Sequence, residues 1–221
     1  MIPLRDTRTS NSTPTVTILL ILANVMVFLY MLTLDGYTQN HFVHTYAVIP
    51  SPHLHLSTLI TSLFLHAGWM HLIGNMWFLW VFGDNVEDVL GHGKYLVFYL
   101  VCGVIASLAQ YAMNTDSRIP SLGASGAIAG VMGAYLVKFP SNRILTLLPI
   151  IIFWTTIDVP AWLMLIYWFG LQFLGVLGTS ATQGGGVAFF AHIGGFIAGM
   201  ILISSVGTKQ RYLQRRDLSW R

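Results

Sequence analysis

Charged side chains are scarce in this 221-residue chain: 9% of its residues are Asp, Glu, Lys or Arg. A soluble domain carries roughly 25%. With 55% hydrophobic residues and a mean hydropathy of +0.67, the composition excludes an ordinary soluble domain and predicts a polytopic membrane protein. The apolar runs are continuous and do not alternate, which excludes a transmembrane β-barrel. Cysteine is almost absent. Cys102 lies inside an apolar run; it has no intrachain partner, is silent on redox compartment and reads as a small core residue. The net charge of +3 is no nucleic-acid footprint, because the basic residues sit in loops and the tail, where they set topology. There is no His-Glu-x-x-His, and His41, His44, His53 and His55 of the first loop follow no metal-binding spacing. Neither a metal nor a cofactor is expected. Met1 to Thr15 is polar, with Arg5 and Arg8, and does not read as a cleaved signal peptide.

What is present is a series of apolar runs near the ~20 residues that a membrane span requires. Span 1 is read at Val16 to Leu34. A long aromatic loop, Tyr37 to Leu56, is too apolar for a free linker and reads as structured in the membrane interface. Span 2 covers Leu59 to Phe82, its regular helix starting near Gly68, and an acidic loop Gly83 to Asp88 follows. Span 3 is Tyr95 to Met113, and span 4 is the short run Ser125 to Phe139. Ile144 to Thr156 reads as an interfacial connection, Pro160 to Leu177 as span 5, Gly178 to Gly186 as a mobile loop and Val187 to Val206 as span 6. The expected organisation is all-α: an N-terminal segment 1–15, a six-span bundle 16–206 and a basic tail 207–221. If the N-terminus is cytoplasmic, ten of the eleven Lys and Arg residues fall on the cytoplasmic side and only Arg118 falls outside. Both termini are then cytoplasmic, and span 4 opens toward the external face.

The chemistry concentrates where span 4 begins, at Ser121-Leu122-Gly123-Ala124-Ser125-Gly126. Gly123 and Gly126 allow a sharp turn and close approach of another chain. Ser125 would stand at a helix N-terminus, where free N–H groups favour developing negative charge. A serine needs a base, and His192 is an ionisable residue inside an apolar run, which is costly unless functional. His192, Gly195 and Gly199 share one helix face. The pairs Gly126/Gly130 and Gly195/Gly199 are small-xxx-small faces that let spans 4 and 6 touch, bringing Ser125 and His192 to one depth. His71 and Asn75, at i and i+4 on span 2, are candidate donors to an oxyanion together with the Ser125 amide. No Asp or Glu lies at that depth, so the reading is a Ser–His dyad.

In this order, His71-Leu-Ile-Gly-Asn75, Gly123-Ala-Ser125-Gly126 and Ala191-His192-Ile-Gly-Gly195 resemble the motifs of the rhomboid family of intramembrane serine proteases. The resemblance covers nearly the whole chain. It implies a six-helix bundle with a water-filled cavity open to the outside. It also implies cleavage of transmembrane protein substrates within or next to their membrane helix, with the lipid bilayer as the other partner. By that similarity Ser125 is the nucleophile, His192 the base, and His71, Asn75 and the Ser125 amide the oxyanion hole. His66 is then a nearby structural residue, Glu87 a packing residue closing span 2, and Gly178–Gly186 the cap. A prokaryotic cell membrane is the expected location. Two features depart from the family pattern. The first external loop has His53-Leu-His55-Leu-Ser-Thr58 where relatives often carry a Trp-Arg pair. Ala129 stands where an aromatic can stack on the catalytic histidine, so other contacts must hold His192.

Overall fold

The structure, a computed structural model, describes residues 1–8, 10–50, 54–115, 117–150, 153–178 and 188–205. The helices are α1 (Thr15–Thr33), α2 (Gly36–Tyr46), α3 (Thr58–Thr61), α4 (Trp69–Leu90), α5 (His92–Met113), α6 (Ser125–Lys138), α7 (Ala161–Gly178) and α8 (Phe189–Ser205). Of these, α1 and α5 meet both the length and the apolarity needed to cross a membrane. The chain's outer surface is apolar: Leu22, Met26 and Leu29 on α1 and Ile166, Phe173 and Leu174 on α7 are all exposed. A protein in water rarely leaves so much apolar surface uncovered.

Helix α6 is the axis of the bundle. Every residue from Gly126 to Tyr135 is buried. The run is rich in Gly and Ala, so the helix is thin, and α4, α5 and α8 can close around it. Cys102 of α5, buried, packs directly against Gly130.

The expectation of an all-α chain is corrected by a three-stranded antiparallel sheet in the order β1 (Ile2–Asp6), β2 (Arg143–Ile150), β3 (Phe153–Pro160). The stretch read as an interfacial connection is therefore a hairpin. Its residues explain this: Ile144, Thr146, Thr155, Thr156, Ile157 and Val159 are β-branched, and Pro149 and Pro160 cannot continue a helix. Ile144 and Val159 pair across the hairpin, and both are buried. The polar N-terminus supplies the third strand and covers the β2 edge. Asp6 anchors it: its Oδ2 accepts from the Tyr135 hydroxyl of α6 and from Asn85 Nδ2 of α4, the latter at 2.8 Å. Burial pushes the Asp6 carboxyl up to about 7, against the lowering effect of its bond to Tyr135.

The acidic stretch Gly83 to Asp88 is not a loop but the last turns of α4. The acids find donors on the N-terminal segment and α1, which removes the reason for them to seek water. Asp88 accepts from Asn11 Nδ2 at 2.9 Å and Ser12 Oγ at 2.7 Å. Glu87 is fully buried. Its carboxylate accepts from the Val16 and Thr17 N–H groups and the Thr17 hydroxyl, each at 2.8 Å, and contacts His92 Nδ1 at 2.6 Å. The first N–H groups of α1 have no partner within the helix, and their dipole end is positive. Glu87 thus caps α1 from another helix, a more specific task than packing. Glu87→Ala is expected to lower stability by about 2–4 kcal/mol, because it leaves several buried donors unpaired, and Glu87→Gln by less. Thermal unfolding in detergent reads this. A loss no larger than that of an exposed alanine substitution would refute the capping role.

The loop Gly178–Gly186, apart from its first residue, and the tail 207–221 lie outside the described residues.

Candidate active site

Ser125 is the first residue of α6, and the turn before it is held on two sides. The Gly123 N–H donates to the Ser62 carbonyl at 2.9 Å, within a 3-10 turn over Ser62–Phe64. Ser121 and Val48 exchange backbone hydrogen bonds of 2.7 and 3.0 Å. The first loop therefore reaches the serine turn through main-chain bonds, without a Trp-Arg pair. Its own fold starts at Asp35, which caps α2 by accepting from Tyr37 and Thr38 N–H. Those bonds, led by the Thr38 hydroxyl, hold its carboxyl below the usual range. Gly123 has φ +121°, in the region that favours glycine. A Cβ there would also lie 2.7 Å from His71 Cε1 and Nε2.

His192 lies in the first turn of α8, half-buried like Ser125. Its Nε2 is 2.7 Å from Ser125 Oγ. Its Nδ1 is 2.7 Å from Oε1 of Gln172, on α7. The ring also lies against Trp168, with centroids 5.7 Å apart and planes tilted by 40°. These two α7 residues are the contacts that hold the imidazole where Ala129 offers none. Sequence reasoning missed both. The available signal was the cost of a polar group in an apolar run, the argument that found His192: Gln172 is the only side-chain amide in α7.

Backbone contact between α6 and α8 sets the separation of the pair. A Cβ on Gly195 would lie 2.0 Å from the Gly126 carbonyl oxygen, and one on Gly199 would lie 1.9 Å from that of Gly130. The four glycines singled out in the sequence thus meet in register. Gln110 of α5 ties down the same end of α8, its Oε1 accepting from the Ala191 N–H at 3.3 Å.

His71 and Asn75 occupy the first two turns of α4. The His71 ring borders Gly123. Its Nδ1 accepts from the Ala67 N–H at 3.4 Å, which assigns the proton to Nε2, on the side of the serine turn. Asn75 is buried, with Nδ2 2.9 Å from His66 Nε2. One N–H of that amide is used on His66 and the second remains. A small cavity adjoins Ser125, lined in part by Ser62, Ser107, Ser121, Gly123, Gly126 and Ala191. Among the described residues no group of three His, Cys, Asp or Glu side chains could hold a metal ion.

Residues 53–208 match the family model for the Rhomboid domain. The chain is 32% identical over 203 residues to Rhomboid protease GluP of Bacillus subtilis, an alignment covering 89% of this chain and 36% of that protein. It is 31% identical over 166 residues to Rhomboid protein 1, mitochondrial, of Saccharomyces cerevisiae, covering 72% of this chain and 44% of the yeast protein. With Presenilin-associated rhomboid-like protein, mitochondrial, of Homo sapiens it shares 33% identity over 127 residues, 57% of this chain and 33% of the human one. The chain thus spans less than half the length of these relatives. Mitochondrial proteins stand beside a bacterial one, so the similarity does not support the expected prokaryotic cell membrane over another. The family match runs through every helix from α3 to α8, and the chain belongs to the rhomboid family.

Proposed function

We propose that this chain is an intramembrane serine endopeptidase that cleaves single-span membrane proteins within or next to their transmembrane helix. The observation that carries the reading is the 2.7 Å contact between Ser125 Oγ and His192 Nε2. In this reading α1, α4, α5, α6, α7 and α8 are the six spans, both termini are cytoplasmic and the site opens to the external side. Residues 16–206 form the catalytic unit, between the N-terminal segment and the basic tail, and the lipid bilayer is the solvent.

Nε2 takes the Ser125 proton as Oγ adds to the scissile carbonyl carbon. The resulting oxyanion accepts from the Ser125 N–H, His71 Nε2–H and the second Asn75 N–H. Donors already in place are worth most in a site screened from water. The imidazolium then gives its proton to the leaving amine, the C–N bond breaks, and an acyl-enzyme remains. Water, deprotonated by the same histidine, hydrolyses it. A substrate helix must unwind first, since its own hydrogen bonds and packing shield the peptide bonds, so helix-breaking residues near the scissile bond should speed cleavage.

The test uses the purified chain and its Ser125→Ala variant in detergent, each incubated with a tagged single-span substrate bearing small and helix-breaking residues near its external end. Cleavage by the wild type alone supports the reading. Cleavage by Ser125→Ala at a rate near that of wild type, or a folded wild type that neither cleaves nor labels with a fluorophosphonate, defeats it. A second reading, a relative that binds membrane helices without cutting them, is disfavoured because nucleophile and base are both present and in contact.

A further inference from the structure

We infer that Gln172 is a positioning residue for the dyad: a neutral acceptor that fixes the tautomer and the orientation of His192. The inference rests on the dyad reading above and adds a third member to it, from a different helix.

The valence of the imidazole decides which nitrogen can act as the base. A neutral histidine carries one N–H, and its other nitrogen accepts. To remove the Ser125 proton, Nε2 must be the acceptor, so the proton must sit on Nδ1. Nothing in an isolated imidazole enforces that choice. Here the Nδ1 partner is Gln172 Oε1, at 2.7 Å, and an amide oxygen can only accept. The opposite tautomer would set a lone pair on Nδ1 against that oxygen. The amide itself is oriented, since Gln172 Nε2 donates to the Trp168 carbonyl one turn back at 3.4 Å. Rotating the amide to present its NH2 would forfeit both bonds. Trp168 then packs its ring on the imidazole, so one face of α7, at i and i+4, fixes both ring plane and tautomer.

Two consequences follow. When Ser125 gives up its proton, the imidazolium formed keeps an Nδ1–H bond to a polar acceptor and is partly stabilised. A carboxylate would do this more strongly, but a permanent charge at this depth would be costly to bury. The neutral amide supplies orientation without that charge. The dyad's alignment also depends on the seating of α7, because Gln172 and Ser125 stand on different helices. Displacement of α7 would release the imidazole without touching the nucleophile.

The experiment compares wild type, Ser125→Ala, Gln172→Leu and Gln172→Glu in detergent, with a tagged single-span substrate, measuring kcat and KM from pH 5 to 9. Gln172→Leu keeps the volume and removes the acceptor. It is expected to lower kcat by about 10- to 100-fold, with KM little changed. Its acid limb should also move to lower pH, because the imidazolium has lost a partner. Gln172→Glu restores an acceptor and is expected to regain most of the rate. Thermal unfolding in the same detergent should be close to wild type for Gln172→Leu and lower for Gln172→Glu, which buries a charge. The inference is overturned if Gln172→Leu keeps the wild-type kcat and acid limb, or if Gln172→Glu falls as far as Gln172→Leu. If wild type is inactive, or Ser125→Ala cleaves at a rate near that of wild type, the dyad reading itself fails and the positioning role falls with it.

Discussion

Alanine at Ser125 and alanine at His192 are each expected to lower kcat by about 10⁴-fold or more, and the double variant by no more than the worse single one. In the proposed dyad the two groups act as a unit. Without Ser125 there is no nucleophile for the base to deprotonate. Without His192, the hydroxyl attacks as a weak neutral nucleophile and the leaving amine departs without an acid. Their contact of 2.7 Å is within the range at which the proton can pass. Removing either group leaves the donors at His71, Asn75 and the position-125 amide in place, so a small residual rate is expected in all three variants. KM should change little, because neither side chain supplies much of the area that holds a helix. Both residues are half-buried; Ser125→Ala should unfold near wild type, and His192→Ala at a somewhat lower temperature, because it removes the ring packed on Trp168 and the partner of Gln172. A double variant losing the product of the two single losses would show independent roles and overturn the dyad.

Helices α1, α4, α5, α6, α7 and α8 were legible because each is built on an apolar run ended by Gly, Pro or polar residues, whereas the polar α2 lay inside the stretch read as a loop. Ser125 and His192 were legible for a related reason: each sits beside small residues in a run where polar groups are costly. The sheet was not. Periodicity does not separate a short apolar strand from a short membrane helix, and the partner of β2 lies more than a hundred residues away, at Ile2–Asp6. The last turns of α4 were hidden for the opposite reason. Gly83, Asp84 and Asp88 suggest a loop when read locally, yet donors from the N-terminal segment and α1 satisfy Glu87 and Asp88. Gln172 was visible as a letter but not as a partner. No spacing in the sequence relates position 172 to position 192. Only the packing of α7 on α8, with Phe169 stacked near Phe196 at 4.8 Å, puts the amide beside the imidazole.

Enlarging Gly199 or Gly195 should damage fold and chemistry together, with Gly199→Val the most severe. The obstacle is backbone rather than a side chain that can swing away. A Cβ at 199 would stand 1.9 Å from the Gly130 carbonyl oxygen and 2.5 Å from its carbon, and one at 195 would stand 2.0 Å from that of Gly126. Real contacts begin near 3 Å, so α8 must retreat from α6 by about 1 Å even for alanine, and further for valine. Overpacking a close interface of this kind costs about 1–3 kcal/mol, occasionally more. The retreat also carries His192 away from Ser125, since one backbone holds Gly195, Gly199 and the imidazole. A misplacement of about 1 Å costs on the order of 100-fold in rate. Gly195→Ala and Gly199→Ala should therefore lose about 100-fold in kcat together with a lower unfolding temperature, and Gly199→Val should lose measurable activity. Gly93→Ala supplies the contrast: it lies in the first turn of α5, with nothing within 4 Å of an added Cβ. It should leave activity unchanged and hold or slightly raise stability, because alanine has less conformational freedom to lose than glycine. Cleavage rate and thermal unfolding measured on the three alanine variants decide the matter. If Gly199→Ala and Gly93→Ala behave alike, the α6–α8 contact does not set the dyad distance. If Gly199→Ala loses stability but keeps its rate, the bundle holds Ser125 and His192 together through α7 or the serine turn instead.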